Sequence, residues 1–212
     1  MRCLVVVAHP DDESIWMGGT ILRRDSWEWH VLVLCRAGDP DREPRFHTVA
    51  RELGVQEVIS DLDDSSPVLA PLSEDFVEIR ERVAALPLRE FDLIFTHGPA
   101  GEYTYHLRHG QAYEAVSGMV ADKNLVGSLV VFDYEDCGGG CHPRPGKDAD
   151  ILTELSAEEF ARKQHILRDI YNFGPGSFEF DAAGPVEAFR VPDRTQLKTV
   201  QSALGDKKTC EF

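Results

Sequence analysis

The sequence predicts an α/β fold, a mainly parallel Rossmann-like sheet with helices on both faces, in a single domain spanning residues 1–212. Short apolar, β-branched runs alternate along the chain with stretches of helical periodicity, the pattern left by successive βα units. The first run, Cys3–Ala8, is apolar almost throughout and reads as a strand buried on both faces. A length of 212 residues suffices for one complete hydrophobic core.

By the same pattern, strands are expected at Cys3–Ala8, Trp29–Cys35, Glu57–Ser60, Leu93–Thr96 and Leu129–Phe132, with a weaker one at Phe189–Val191. Helices are expected at Glu13–Arg24, Pro44–Leu53, Glu74–Leu86, His109–Asp122 and Ala157–Tyr171. Two helix ends carry explicit signals. Ser156 with Glu159 three residues on makes a capping box, and Gly54 stands where a left-handed cap closes the second helix. The Gly/Pro-rich stretch Tyr134–Asp150 is too polar for a core element and predicts a surface loop, as does Asn172–Pro185.

Composition narrows the function. A formal net charge of −15 argues against nucleic acid and against docking on an anionic lipid surface, and suits a neutral or cationic small molecule. No apolar run approaches the ~20 residues that span a bilayer, and the opening MRCLVVVAHP is too short for a signal-peptide core, so the expectation is a cytoplasmic protein. Five cysteines without paired spacing give neither a disulfide framework nor a zinc knuckle. Cys3 and Cys35 read as buried thiols, and Cys137 and Cys141 as loop thiols beside His142, with a small disulfide or metal loop as the alternative.

The chemistry gathers where the first strand ends. Ala8-His9-Pro10-Asp11-Asp12-Glu13 crowds one histidine and three acids at a strand's carboxyl end, where open α/β sheets place their ligands. If the chain turns there, helped by Pro10, His9 and Asp12 point at one cation while Asp11 stays free. Metal-assisted hydrolysis needs that division, with ligands on the cation and a further carboxylate to take a proton from water. The plainer reading makes Asp11 or Asp12 a helix cap, but three neighbouring carboxylates repel one another unless a cation neutralises them. Gly18-Gly19 falls inside the predicted helix and lacks dinucleotide-loop spacing, so close packing explains the pair. A third ligand must come from elsewhere, and the stretch after the fourth strand offers His106 and His109, which share a face of a helical turn.

These motifs resemble those of the PIG-L or LmbE-like N-deacetylases, which act on N-acetylglucosaminyl substrates. The resemblance rests on AHPDDE at residues 8–13, on Gly101–His109, which is similar to the family's G-E-Y-G-H-x-x-H stretch, and on Arg45…Leu53-Gly54-Val55, which is similar to its R…LGV segment. It implies one zinc ion per chain on His9, Asp12 and His109, with another divalent metal as the alternative. It also implies Asp11 as general base, His106 as the group that assists the tetrahedral intermediate or leaving amine, and a small-molecule amino-sugar conjugate as substrate. Arg45, Tyr103 and Tyr105 are the implied substrate contacts.

The chain departs from the pattern in three places. Thr104 and Tyr105 separate Tyr103 from His106, so either tyrosine is available to the oxyanion. Leu107-Arg108 replaces the usual pair between the histidines, and Thr48 stands where a glutamate is frequent three residues after Arg45. No G-x-S-x-G elbow or cysteine in a catalytic setting supports covalent catalysis. The competing expectations are a sugar-binding member without turnover and an amidase that removes a larger acyl group; a homo-oligomer is also left open.

Overall fold

The computed structural model describes residues 1–64, 72–103, 106–136 and 142–205. In chain order the elements are β1 (Arg2–Val7), α1 (Asp12–Arg23), β2 (Glu28–Cys35), α2 (Arg42–Leu53), β3 (Gln56–Leu62), α3 (Leu72–Ala84), β4 (Glu90–Thr96), α4 (Leu107–Ala121) and β5 (Val126–Phe132). They continue with β6 (Tyr134–Glu135), β7 (Arg144–Pro145), β8 (Ile151–Glu154), α5 (Ala157–His165), α6 (Phe178–Ala182), β9 (Val186–Arg190) and α7 (Leu197–Leu204). After α5 the helix widens into a π-helical turn at Ile166–Ile170.

Seven strands form one sheet in the order β3-β2-β1-β4-β5-β9-β8. The first five are parallel, and β9 and β8 add antiparallel to that edge. The order reverses between β1 and β4, leaving a crevice at the carboxyl ends of those two strands. β1 sits at the centre, and Cys3 through Val7 are fully buried because both sheet faces are covered.

The sheet separates two cores. On one face Ile15, Met17 and Ile21 of α1 pack with Phe46, Val49 and Leu53 of α2, with Ile166 and Leu167, and with Val200 and Leu204 of α7. On the other, Ile79 and Val83 of α3 meet Ala112, Ala115, Val116 and Met119 of α4 over Leu4, Val6 and Ile94. The capping box of α5 is present, and Gly54 closes α2 at φ 69°.

Some elements differ from expectation. The loop expected over 134–150 contains the short β6–β7 hairpin, and the loop expected over 172–185 contains α6, capped by Ser177. β8 and α7 were not expected; α7 buries Val200 and Leu204 on one stripe, a spacing visible in the sequence. Of the glycine pair in α1, Gly19 is the packing residue, because a Cβ there would lie 2.3 Å from Leu155 Cδ1, whereas at Gly18 it would make ordinary contacts. Cys3 and Cys35 are buried free thiols; Cys137 and Cys141 lie outside the described residues.

Candidate active site

β1 ends at Val7, and the chain turns through His9–Asp11 into α1. Asp11 occupies the N-cap position of α1, yet its side chain caps none of the helix's free amides. Its carboxylate instead faces Arg42 Nη1 at 3.3 Å. The backbone of Asp11 stands at φ 137°, a conformation that costs about 1–3 kcal/mol for a residue with a side chain. Glu13 holds it there. Its Oε2 accepts the Asp11 amide at 3.1 Å, while Oε1 accepts the hydroxyls of Ser14 and Tyr171, each at 2.7 Å. The third acid of the hexapeptide is therefore a buried brace for the first.

Asp12 faces inward and is 3% exposed. Oδ2 accepts the His9 amide at 2.8 Å and Oδ1 accepts the Trp16 indole N–H at 3.2 Å, which fixes the carboxylate plane. β4 delivers His97 beside it, and α4 delivers His109 from its first turn, behind His106 at the N-cap. His9 Nδ1 lies 3.3 Å from Asp12 Oδ2 and 3.3 Å from His109 Nε2, and His109 Nε2 lies 3.5 Å from Asp12 Oδ1. Ligands of a tetrahedral ion about 2.0–2.1 Å away lie about 3.3–3.4 Å apart, and these contacts, which reach Asp12 through both of its oxygens, are of that order, so this triangle of residues could hold a divalent cation.

The ligating atoms of three trios, His9–His106–His109, Asp12–His97–His109 and His9–Cys35–Asp64, lie within 4.8 Å of one another in each trio. His97 drops out on hydrogen bonding. Its Nε2 accepts the Ala8 amide at 3.0 Å and its Nδ1 faces Glu102 Oε1 at 2.8 Å, so both ring nitrogens are engaged. Burial lowers its pKa, yet Glu102 and Asp12 raise it to about 9. The amide hydrogen decides the tautomer, because only an unprotonated Nε2 can accept it. His106 is the most exposed of the histidines here, its ring edge-on to His9 at 4.9 Å.

Each remaining histidine has a carboxylate behind it. Glu102 Oε2 is 2.5 Å from His109 Nδ1, which leaves Nε2 free to face the triangle, and Asp64 Oδ1 is 3.4 Å from His9 Nε2. Carboxylate–histidine pairs of this kind fix the tautomer and raise the basicity of a metal ligand. The acid that a Leu107-Arg108 pair cannot supply thus comes from Glu102 across the loop. Arg108 is structural, bonding the Asp63 carbonyl and, at 2.7 Å, Gln111 Oε1.

The electrostatics match a cation site. Against burial, hydrogen bonds to Asp12 and Asp64 raise His9 to about 10. Burial and then the charge of Asp12 push Asp11 well above the usual carboxylate range, whereas His109 and His97 outweigh burial to hold Asp12 well below it. Burial, then the charges of His109 and His9, lower His106 to about 4. This carboxylate set attracts positive charge strongly, and a cation in the triangle would lower Asp11.

Above the triangle opens a cavity of about 350 Å³, lined by Asp11, Ile15, Trp16, Arg36, Arg42 and Tyr103 among others. The structure brings His9, Asp11, Asp12, His106, His109 and Tyr103 to it. Arg45 is not among the lining residues; its guanidinium bonds Asp41 Oδ1 at 2.8 Å and the Ile170 carbonyl at 2.7 Å, and Arg42, one helical turn earlier, takes its place at the cavity. Tyr105 lies outside the described residues. Sequence reasoning assigned no role to Trp16, Asp64, His97 or Glu102. His97 had a signal in its position after a strand, the feature that singled out His9.

Fold and site together define a Rossmann-like α/β protein with a His/Asp cluster, able to hold a divalent cation, at the sheet's switch point. The chain belongs to the PIG-L family: the family model described as GlcNAc-PI de-N-acetylase matches residues 4–120. It is 27% identical, over 96% of its length and 72% of the relative's, to the 1D-myo-inositol 2-acetamido-2-deoxy-alpha-D-glucopyranoside deacetylase of Actinosynnema mirum. Solved structures share the fold. The A40926 pseudoaglycone deacetylase Dbv21 superposes with a TM-score of 0.67 at 14% identity, over 89% of this chain and 95% of that one. A conserved protein of Thermus thermophilus gives 0.62 at 20%, over 91% and 94%. Among the described residues, no helix is long and apolar enough to cross a membrane.

Proposed function

We propose that this chain removes an N-acetyl group from an amino-sugar derivative, holding one zinc ion on His9, Asp12 and His109. The observation that carries the reading is the cluster of His9, Asp12 and His109 donor atoms with contacts of 3.3–3.5 Å, beside which the Asp11 carboxylate is held by Arg42 at 3.3 Å and caps no helix amide. Family membership and the Actinosynnema mirum relative point to the N-acetylated sugar. When bound, the ion supplies a Lewis acid that polarises the amide carbonyl and acidifies water.

The chain's own groups do the rest. Asp11 takes the proton of the attacking water, and Glu13 keeps its backbone turned so that the carboxylate faces the cavity. As the water oxygen bonds to the acyl carbon, His106 at the rim donates its ring N–H to the tetrahedral intermediate. The C–N bond then breaks, the amine leaves with the proton taken up by Asp11, and acetate remains. Tyr103 is the phenol positioned to meet the substrate, and Arg42, rather than Arg45, is the guanidinium that reaches it.

Purified protein should release acetate from N-acetylglucosamine glycosides, lose that activity to a chelator and regain it on adding zinc, with about one ion bound per chain. Metal uptake with no acyl release from any amino sugar overturns the reading in favour of a binding protein.

A further inference from the structure

Asp11 is held at two points, and both lines of contact end in one short segment of the chain. Its backbone stands at φ 137°, where a residue with a side chain stays only if its surroundings hold it. Its amide donates to Glu13 Oε2 at 3.1 Å, and the other oxygen of that buried carboxylate accepts the Tyr171 hydroxyl at 2.7 Å. Its own carboxylate faces Arg42 Nη1 at 3.3 Å, and the Arg42 guanidinium carbon lies 4.5 Å from the centroid of the Phe173 ring. Tyr171 and Phe173 are both buried, and both lie beyond the 4–120 match.

The segment is itself fixed. The π-helical turn Ile166–Ile170 closes on it through the Tyr171 amide, which donates to the Ile166 carbonyl at 3.0 Å. Such turns are rare within helices and recur at functional sites. The Ile170 carbonyl, at the open end of the turn, accepts Arg45 Nη1 at 2.7 Å, and Asp41 anchors Arg45 in turn. Asn172 stands between the two aromatic residues at φ 66°, a left-handed turn that asparagine tolerates, and the rings reach different partners on either side of it.

We propose that Ile170–Phe173 is a clamp that positions Asp11, with Tyr171 fixing its backbone through Glu13, Phe173 fixing its carboxylate through Arg42, and Arg45 holding the clamp in place. Tyr171, Phe173 and Arg45 are positioning residues, and none of the three lines the cavity. A displaced base loses rate and not substrate affinity, so the clamp acts on kcat. It rests on the deacetylase reading only for the task that Asp11 performs.

Amide exchange and kinetics on the full-length chain test it separately from that reading. By NMR on isotope-labelled protein, Tyr171→Phe should speed exchange of the Asp11 amide about tenfold or more. The Gly19 and Thr20 amides of the same helix, which donate to Glu187, should keep their wild-type rates. On N-acetylglucosamine glycosides that variant should lose about 10–10²-fold in kcat with KM and zinc content near wild type. Phe173→Leu should leave the Asp11 amide unaltered and lower kcat about fivefold, and Arg45→Met should reproduce Tyr171→Phe more weakly, about threefold in each measurement. Arg45→Met lies at a partly exposed position and decides alone if Tyr171→Phe does not fold. Unchanged Asp11 exchange, equal acceleration at Gly19 and Thr20, or unchanged kcat despite faster Asp11 exchange overturns the clamp. A rise in KM at constant kcat in Arg45→Met would make Arg45 a substrate contact and also overturn it. Faster Asp11 exchange in a chain that releases no acetate from any amino sugar leaves the clamp standing and overturns the deacetylase reading.

Discussion

The parallel half of the sheet and its antiparallel end divide the labour of this protein. Turns and helices that follow β1, β2, β3 and β4 carry the candidate ligands, the candidate base and the arginines of the cavity. β9 and β8 carry none of these, yet β9 supplies Glu187, a fully buried carboxylate that grips the site's helix from behind. Its oxygens accept the amides of Gly19 and Thr20 in the middle of α1 at 2.8 and 2.7 Å, and Lys163 Nζ from α5 at 2.7 Å. The Tyr134 hydroxyl donates to the Trp16 carbonyl at 2.9 Å and accepts the Ala188 amide. The helix that presents Asp12 is thus fixed at its far side by residues beyond the 4–120 match. The candidate reacting groups sit at strand ends, and part of what holds them in place comes from a different part of the chain.

The comparison predicts that removing the candidate base spares the fold and that lesions in the antiparallel support, or where α1 packs, do not. The largest expected effect is on turnover. Asp11→Asn should lower kcat by about 10²–10⁴-fold, the range for a general base, while zinc content and thermal midpoint stay near wild type. Loss of the ion in that variant would make Asp11 a ligand and dissolve the assignment. Next comes Glu187→Ala, which strands the Lys163 ammonium in the core and should cost about 3–5 kcal/mol in urea unfolding. A cost below ~1 kcal/mol would show that the antiparallel end is a passive edge.

Trp16→Phe leaves a smaller aromatic ring without the hydrogen bond to Asp12 Oδ1; it should weaken zinc affinity about 10–100-fold in a chelator competition, beside a cost of about 1–3 kcal/mol in unfolding from the cavity in this buried position. Unchanged affinity would leave Trp16 a core residue and nothing more. Smallest is Gly19→Ala, whose methyl meets Leu155 Cγ at 2.9 Å and should cost about 1–3 kcal/mol. The companion change Gly18→Ala should be tolerated, since its nearest neighbours would be 3.8 Å away; equal costs at both positions would contradict the packing described.

Much of the parallel half was legible because its signals are local. An apolar run on β1 and the hexapeptide that follows it are contiguous, so strand, turn and candidate ligands could be read together. The antiparallel end was harder. Ile151–Glu154 is four residues long and gains its partners from β9, and no local pattern marks a strand that short. α6 has five residues, too few for a periodicity to show. Arg45 and Arg42 both precede the Leu53-Gly54-Val55 segment, and spacing alone could not say which reaches the cavity; α2 turns Arg45 toward Asp41 and Ile170 instead.

By itself, the sequence determined the fold class, the crowding of carboxylates at the first strand's end and the two histidines of the later turn, because periodicity and short motifs record what neighbours along the chain must do. Only the tertiary structure decided that Glu102 backs His109, Asp64 backs His9, and Trp16 orients Asp12. Those relations depend on angles and distances between residues that the sheet brings together, and a hydrogen bond is specified by geometry that residue order does not encode.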